Sequence, residues 1–175
     1  LLVVGRVVSH KRIEDAIELL ADIRTLGYDY NIAVVGSMPN PKYSKYLFNY
    51  ARTLGVLDSV SFNGAVANED LFDLYQNALA YLSMSKHEGF CVPVLEAMHF
   101  GVPVVVRAGT AAQEVCDMSG VILSKESNQA NAKVVVDRLS RVNIYEELQK
   151  SGGLRSKQIL MLAKDDIWKG LITQQ

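Results

Sequence analysis

Two carboxylates eight residues apart, Glu88 and Glu96, bracket the segment EGFCVPVLEAM at residues 88–98. An apolar run over 78–84 leads into it, a loop with Gly89 and Phe90 follows, and Pro93 opens a short helix that Gly101 closes. The amides of Gly89, Phe90, Cys91 and Val92 therefore gather at a helix start. First-turn N–H groups lack intrahelical acceptors and the helix dipole favours an anion there. Pro93 removes one donor and presets the first turn. Glu96 falls one turn inside the helix. A carboxylate there can accept two vicinal hydroxyls, as the ribose-binding acid of a dinucleotide fold does, or it can serve only as a helix-stabilising acid. Glu88 is either a site acid or a solvated loop carboxylate.

A second group of candidates follows residues 1–5, where LLVVG is succeeded by Arg6, His10 and Lys11. Arg offers a planar fork suited to phosphate oxygens, and Lys a compact point charge. The alternative is two solvated cations beside a helix start. The dipole does not favour Lys there, which shifts weight toward a ligand. Cations on one loop, amides at a facing helix start and a hydroxyl-binding acid together describe a nucleoside diphosphate site.

Such groups must be positioned by regular elements, and the pattern supplies them. LLVVG and IAVVG (1–5 and 32–36) are apolar runs closed by glycine, which suits fully buried parallel strands. Shorter strands are predicted over 60–62, 78–84, 102–106 and 120–123. Between them, Ile13, Ala16, Ile17, Leu20 and Ile23, and then Tyr43, Leu47, Tyr50, Ala51 and Leu54, recur at helical spacing. Asn68 is expected to cap a helix that runs to about Gln76, with Glu69 and Asp70 in its first turn. Residues 109–112 read as a small-residue loop with Glu114 beyond it. The remainder reads as helical, broken near Gly152 and Gly153, with Trp168 in the last helix. Strands alternating with helices define an α/β fold, a Rossmann-like doubly wound parallel sheet with a helical C-terminal tail. Ligands in such folds sit at the carboxyl ends of the strands.

Composition narrows the classes. The chain has 175 residues, 49% of them hydrophobic, enough for one domain with a sizeable core. A net charge of −1 with both signs interspersed argues against a nucleic-acid binder. No apolar run approaches the roughly 20 residues of a membrane-spanning helix. Residues 1–5 read as a strand rather than a signal peptide, and because the chain starts with Leu inside that strand it reads as a fragment of something longer. Two cysteines, Cys91 and Cys116, form neither a disulfide framework nor a zinc pattern, so reduced intracellular thiols are expected. His10, His87 and His99 read as surface residues, and the stripe of Tyr43, Tyr46 and Tyr50 as core or interface packing.

EGFCVPVLEAM resembles the E-x7-E signature of retaining GT-B-fold glycosyltransferases, the class that includes sucrose synthases, glycogen synthases and many mannosyl- and glucosyltransferases; its common form is close to EGFGLPVLEAM. VGRVVSHKR, SFNGAVANEDLFDLY and GVPVVVRAGTAAQEV resemble further segments of that family in the same order. The resemblance covers residues 1–123, and the helical tail more loosely. It implies the donor-binding C-terminal half of a GT-B enzyme: one nucleotide-sugar-binding domain over 1–175, with a sheet core over 1–123, a mostly helical 124–175 and the N-terminal acceptor domain absent. Arg6, Lys11 and Glu88 are implied as the catalytic set. Arg6 and Lys11 would hold the diphosphate in place of a metal, and no Asp-x-Asp motif is present. Glu88 would sit beside the donor sugar as nucleophile, electrostatic stabiliser or sugar ligand. Gly5, Gly64, Gly89, Phe90, Cys91, Val92 and Glu96 are the substrate-binding set, with Glu96 on the ribose and the loop 64–67 walling the base. The substrate would be a UDP- or GDP-sugar and no cofactor is expected. Implied partners are the missing domain and, through the parent protein, a membrane surface. The implied location is cytoplasmic, extending to the inner membrane face.

Three positions depart from the family pattern. Cys91 stands where Gly is usual, at a cost if the backbone there has positive φ. Arg12 stands where Gly is common and adds a positive charge near the site. Gln113 stands where Pro is frequent, which predicts a less rigid loop before Glu114. Two rival readings remain: a non-catalytic interaction module derived from such a domain, and a sugar-nucleotide epimerase on the same scaffold.

Overall fold

Short Val-, Ile- and Leu-rich runs closed by glycine can be buried on both faces only as inner strands of a parallel sheet. The computed structural model describes residues 1–125 and 128–162. Its strands are β1 (Leu2–Val4), β2 (Ile32–Val35), β3 (Val60–Gly64), β4 (Tyr81–Ser83), β5 (Val104–Arg107) and β6 (Val121–Leu123). They form one sheet in the order β3-β2-β1-β4-β5-β6, and every pairing is parallel. The doubly wound α/β fold expected from the sequence is the fold observed.

The helices are α1 (Ile13–Thr25), α2 (Pro41–Thr53), α3 (Asn68–Gln76), α4 (Val92–His99), α5 (Ala111–Cys116), α6 (Asn128–Ser140) and α7 (Val142–Leu162). Alternate strand residues feed two cores, because successive side chains point to opposite faces. Val3, Val34 and Val105 pack with Ile17 and Leu20 of α1, Leu47 of α2 and Val135 of α6. Leu2, Val4, Val104 and Val106 pack with Val94 and Met98 of α4 and Val115 of α5. Each face of the sheet is thus covered by helices.

Four local expectations are corrected. Asn68 is the first residue of α3, not its cap; Ala67 is the cap and makes no side-chain bond. Residues 109–112 are not wholly a loop, since α5 begins at Ala111 and contains Glu114. α7 passes through Gly152 and Gly153 without a break. Gly152 is buried where α7 packs on α4, with Met98 as its nearest neighbour. The strand expected over 78–84 is shorter, because residues 84–91 turn away to approach the β1 loop. Trp168 lies outside the described residues.

This order places the topological switch between β1 and β4. The chain winds from β1 to β2 and β3, then returns to β4 on the other side of β1, so the connections leaving β1 and β4 diverge and open a crevice. The register pairs Leu2 with Tyr81, which brings residues 5–11 level with the loop before α4.

Candidate functional site

Glycine builds the floor of that crevice. Gly5 and Gly36 end β1 and β2 with φ of 133° and 142°, conformations open to glycine. They touch backbone to backbone: a Cβ on Gly36 would lie 2.1 Å from the Gly5 carbonyl oxygen. Gly36 N–H donates to the Gly64 carbonyl at 2.7 Å, which aligns the ends of β2 and β3. Over this floor lies a cleft of about 660 Å³ lined by Gly5, Arg6, Lys11, Gly36, Ser37, Val66, Asn68, Glu88, Cys91 and Val92. A second cleft, with Leu1, Asn31, Ser59 and Ala78 in its wall, lies at the opposite, amino-terminal ends of the strands, away from every candidate group.

The two opening loops are bonded to each other. Lys86 N–H donates to the His10 carbonyl at 2.9 Å. Lys11 Nζ donates to Glu88 Oε1 at 2.8 Å, with the side chains 15% and 7% exposed. Ser85 Oγ donates to the same carboxylate oxygen. Burial pushes the Glu88 carboxyl up, but the hydrogen bonds from Lys11 and Ser85 and the Lys11 charge outweigh it and hold the group below its ordinary range. Glu88 is therefore not a solvated loop carboxylate; it is an ionised, oriented acid facing the cleft. Arg6 is exposed at the cleft edge and, among the described residues, has no ion-pair partner.

The added charge expected at Arg12 is neutralised within the protein. Its guanidinium donates to both oxygens of Asp15, at 3.0 and 2.6 Å, and pairs with Glu14 at 2.8 Å. Arg107, at the end of β5, grips the same Asp15 at 2.6 Å. This clamp ties the start of α1 to the sheet beside Lys11. Arg12 itself sits at φ 53°, the conformation that favours glycine at this position in the family.

Cys91 has φ 57° and caps α4, so the departure from glycine does carry backbone strain. Its side chain is buried. Burial first, and then the Glu88 charge, push the thiol far above its ordinary range, so it stays protonated and is no nucleophile. Cys116, also buried, is pushed up to about 12 by the same cause.

Glu96 lies apart from Glu88. It lines a neighbouring apolar cavity of about 260 Å³ with Phe72, Leu95, His99, Phe100 and Leu160; Val92 is common to both spaces. Tyr75 of α3 donates to Glu96 Oε2 at 2.9 Å. Burial raises the Glu96 carboxyl above its ordinary value, and the Tyr75 bond partly offsets this. Gly89 and Phe90 are exposed at the rim. Gly64, φ 67°, stands one residue behind the wall formed by Ala65 and Val66. His10, His87 and His99 are exposed, as expected. Gln113 Oε1 accepts from the Gly109 N–H at 2.6 Å, a bond that ties the loop where a proline ring was expected to be missed.

Sequence reasoning singled out neither Tyr75 nor Ser85 nor Gly36. Gly36 had a signal, the repetition of VVG in 1–5 and 32–36. Ser85 lay within the strand-end loops but had no distinguishing spacing. Tyr75 had none, because 21 residues separate it from Glu96. Among the described residues no cluster of three or more His, Cys, Asp or Glu could hold a metal ion, and no helix is long and apolar enough to cross a membrane.

A cleft lined by Arg6, Lys11 and the start of α4 lies at the switch point of this doubly wound, Rossmann-like domain. The chain belongs to the glycosyl transferases group 1 family, whose description matches residues 1–153. It is 31% identical over 115 residues to O-antigen chain mannosyltransferase B of Escherichia coli, covering 66% of this chain and 28% of that protein. It is 32% identical over 106 residues to the GDP-mannose:cellobiosyl-diphosphopolyprenol alpha-mannosyltransferase of Komagataeibacter xylinus, covering 60% and 27%. Among solved structures, Anabaena Alr3699/HepE in complex with UDP-glucose superposes with a TM-score of 0.82 at 20% identity, covering 98% of this chain and 48% of that one. The C-terminal domain of the Francisella tularensis protein LpcC superposes with a TM-score of 0.74 at 23% identity, covering 90% and 84%. The chain spans about half the length of HepE and less than a third of the two mannosyltransferases.

Proposed function

We propose that this chain is the donor-binding, carboxyl-terminal domain of a retaining GT-B glycosyltransferase. It takes a UDP- or GDP-sugar and delivers a hexose to a glycan or lipid-linked acceptor held by a second, amino-terminal domain. The observation that carries the reading is the Lys11–Glu88 pair at the switch point, with Arg6 on the same loop and the Cys91 and Val92 amides opposite. The names of relatives support it, since they include mannosyltransferases and a structure solved with UDP-glucose. So does the match to an isolated C-terminal domain, that of LpcC, over 84% of its length.

In this reading Arg6, Lys11 and the helix-start amides receive the diphosphate, and Gly5 allows it to approach the backbone. Negative charge grows on the departing diphosphate as the glycosyl bond breaks, so fixed cations there stabilise the transition state more than the ground state. Glu88, held ionised by Lys11 and Ser85, faces the sugar carbon as positive charge develops and acts as an electrostatic stabiliser. Glu96, oriented by the buried Tyr75 hydroxyl, holds the ribose, and the loop behind Gly64 walls the base. The work is done at the cytoplasmic side of a membrane, with no metal. Retention of Arg6, Lys11, Glu88 and Glu96 together weighs against a decayed interaction module.

Calorimetric titration with UDP and GDP tests this. One of the two nucleotides binds, Lys11→Ala removes that binding and His99→Ala leaves it intact. Absence of binding by either nucleotide overturns the reading.

A further inference from the structure

Helix α2 carries a charge pattern unlike the rest of the chain. Lys42, Lys45 and Arg52 are its charged residues, and no acid occurs anywhere between Asp29 and Asp58. This contrasts with a net charge of −1 over all 175 residues. Positions 42, 45, 49 and 52 fall on one face of a helix of 3.6-residue period. That face points outward: Lys42, Lys45, Asn49 and Arg52 are all exposed, while Leu47 and Ala51 on the opposite face are buried in the core.

Aromatic side chains flank the cationic stripe on both sides. Tyr43, Tyr46 and Tyr50 stack in a row, with ring centroids 6.2 and 5.7 Å apart. On the other flank Phe48 leans on Phe62 of β3 at 4.5 Å. Tyr46 and Phe48 remain 48% and 39% exposed. The rings are held by the fold, so ordering them at an interface costs little further conformational entropy. Two acids of α1 beside the stripe are otherwise engaged: Glu14 pairs with Arg12 and accepts from Tyr43, and Asp15 is held by Arg12 and Arg107; Asp58 is exposed in the turn that packs on α2. Glu18 lies half-buried behind Tyr50.

We propose that the outer face of α2 docks the protein on an anionic lipid surface. Cations attract the negative headgroups, and amphipathic aromatic rings are the side chains that settle at headgroup level. Because α2 begins at Asn40–Pro41, just beyond Ser37 of the cleft wall, docking sets the cleft at a fixed height above the bilayer. The inference stands on α2 alone and survives failure of the donor-binding reading.

Co-sedimentation with vesicles tests it. The chain partitions onto mixed phosphatidylcholine–phosphatidylserine vesicles and not onto phosphatidylcholine alone, and high salt releases it. The triple variant Lys42→Gln, Lys45→Gln, Arg52→Gln loses on the order of 100-fold in partitioning, from about fivefold per cation. Tyr46→Ser with Phe48→Ser loses several-fold more weakly salt-dependent binding. Lys133→Gln, Lys150→Gln, Lys157→Gln removes the same charge from exposed sites on α6 and α7 and keeps wild-type partitioning. Equal binding to neutral vesicles, a wild type that stays in solution with the anionic ones, or equal losses in both triple variants overturns the proposal.

Discussion

Removing one member of the Lys11–Glu88 pair leaves its partner charged in a site where water reaches it poorly. With side chains 15% and 7% exposed, the pair lies between a surface and a fully buried ion pair. Breaking a buried pair from one side costs 3–5 kcal/mol, and a surface pair about 0–1. Here the cleft admits some water and Ser85 still donates to Glu88, so Lys11→Met and Glu88→Gln should each cost about 2 kcal/mol. The double variant has no orphan charge and should cost about 2.5 kcal/mol rather than the additive 4, a coupling of about 1.5 kcal/mol. Urea denaturation at neutral pH measures all four proteins. The pH dependence follows from the lowered Glu88 carboxyl: its contribution is present above the ordinary carboxylate range and is lost as pH falls through the folded-state value. The coupling should therefore vanish in acid. A double variant whose cost equals the sum of the singles at neutral pH would refute the pairing and with it the ionised, oriented Glu88.

Three further outcomes follow from the same geometry. Gly36→Ala drives a Cβ to 2.1 Å from a backbone oxygen at φ 142°, so it should cost about 3 kcal/mol or more and abolish nucleotide binding; a thermal melt near wild type would contradict this. Cys91→Ala and Cys91→Gly both lose the buried thiol, but only glycine relieves φ 57°, so the glycine variant should be about 1 kcal/mol the more stable by denaturation. Tyr75→Phe deletes the bond to Glu96; it should raise the Glu96 carboxyl further and weaken UDP or GDP binding about tenfold, with no added loss in a Tyr75→Phe, Glu96→Gln double variant measured by calorimetry.

Much of the scaffold was legible because buried parallel strands and their helices write strong local patterns. LLVVG and IAVVG could be little else, and the order of strands and helices allowed few right-handed topologies. What misled was local chemistry with two meanings. Gly152 and Gly153 look like a helix stop, yet α7 runs through both where it packs on α4. Asn68 has the side chain of a cap, but the chain enters the helix one residue earlier. Gln113 lacks the ring of proline and compensates with a hydrogen bond that no propensity anticipates.

The sequence by itself determined the α/β class and the order of its strands and helices, and it marked Arg6, Lys11, Glu88 and Glu96 as candidates. Those depend on periodicity and residue type, which are local along the chain. Only the tertiary structure decided how the groups combine. It joined Lys11 to Glu88 across 77 residues, turned Glu96 away to Tyr75, spent the charge of Arg12 on Asp15 and set Cys91 in a left-handed conformation. Pairing energies and pKa directions depend on distance and on exclusion of water, and both are set by how the sheet brings remote loops together.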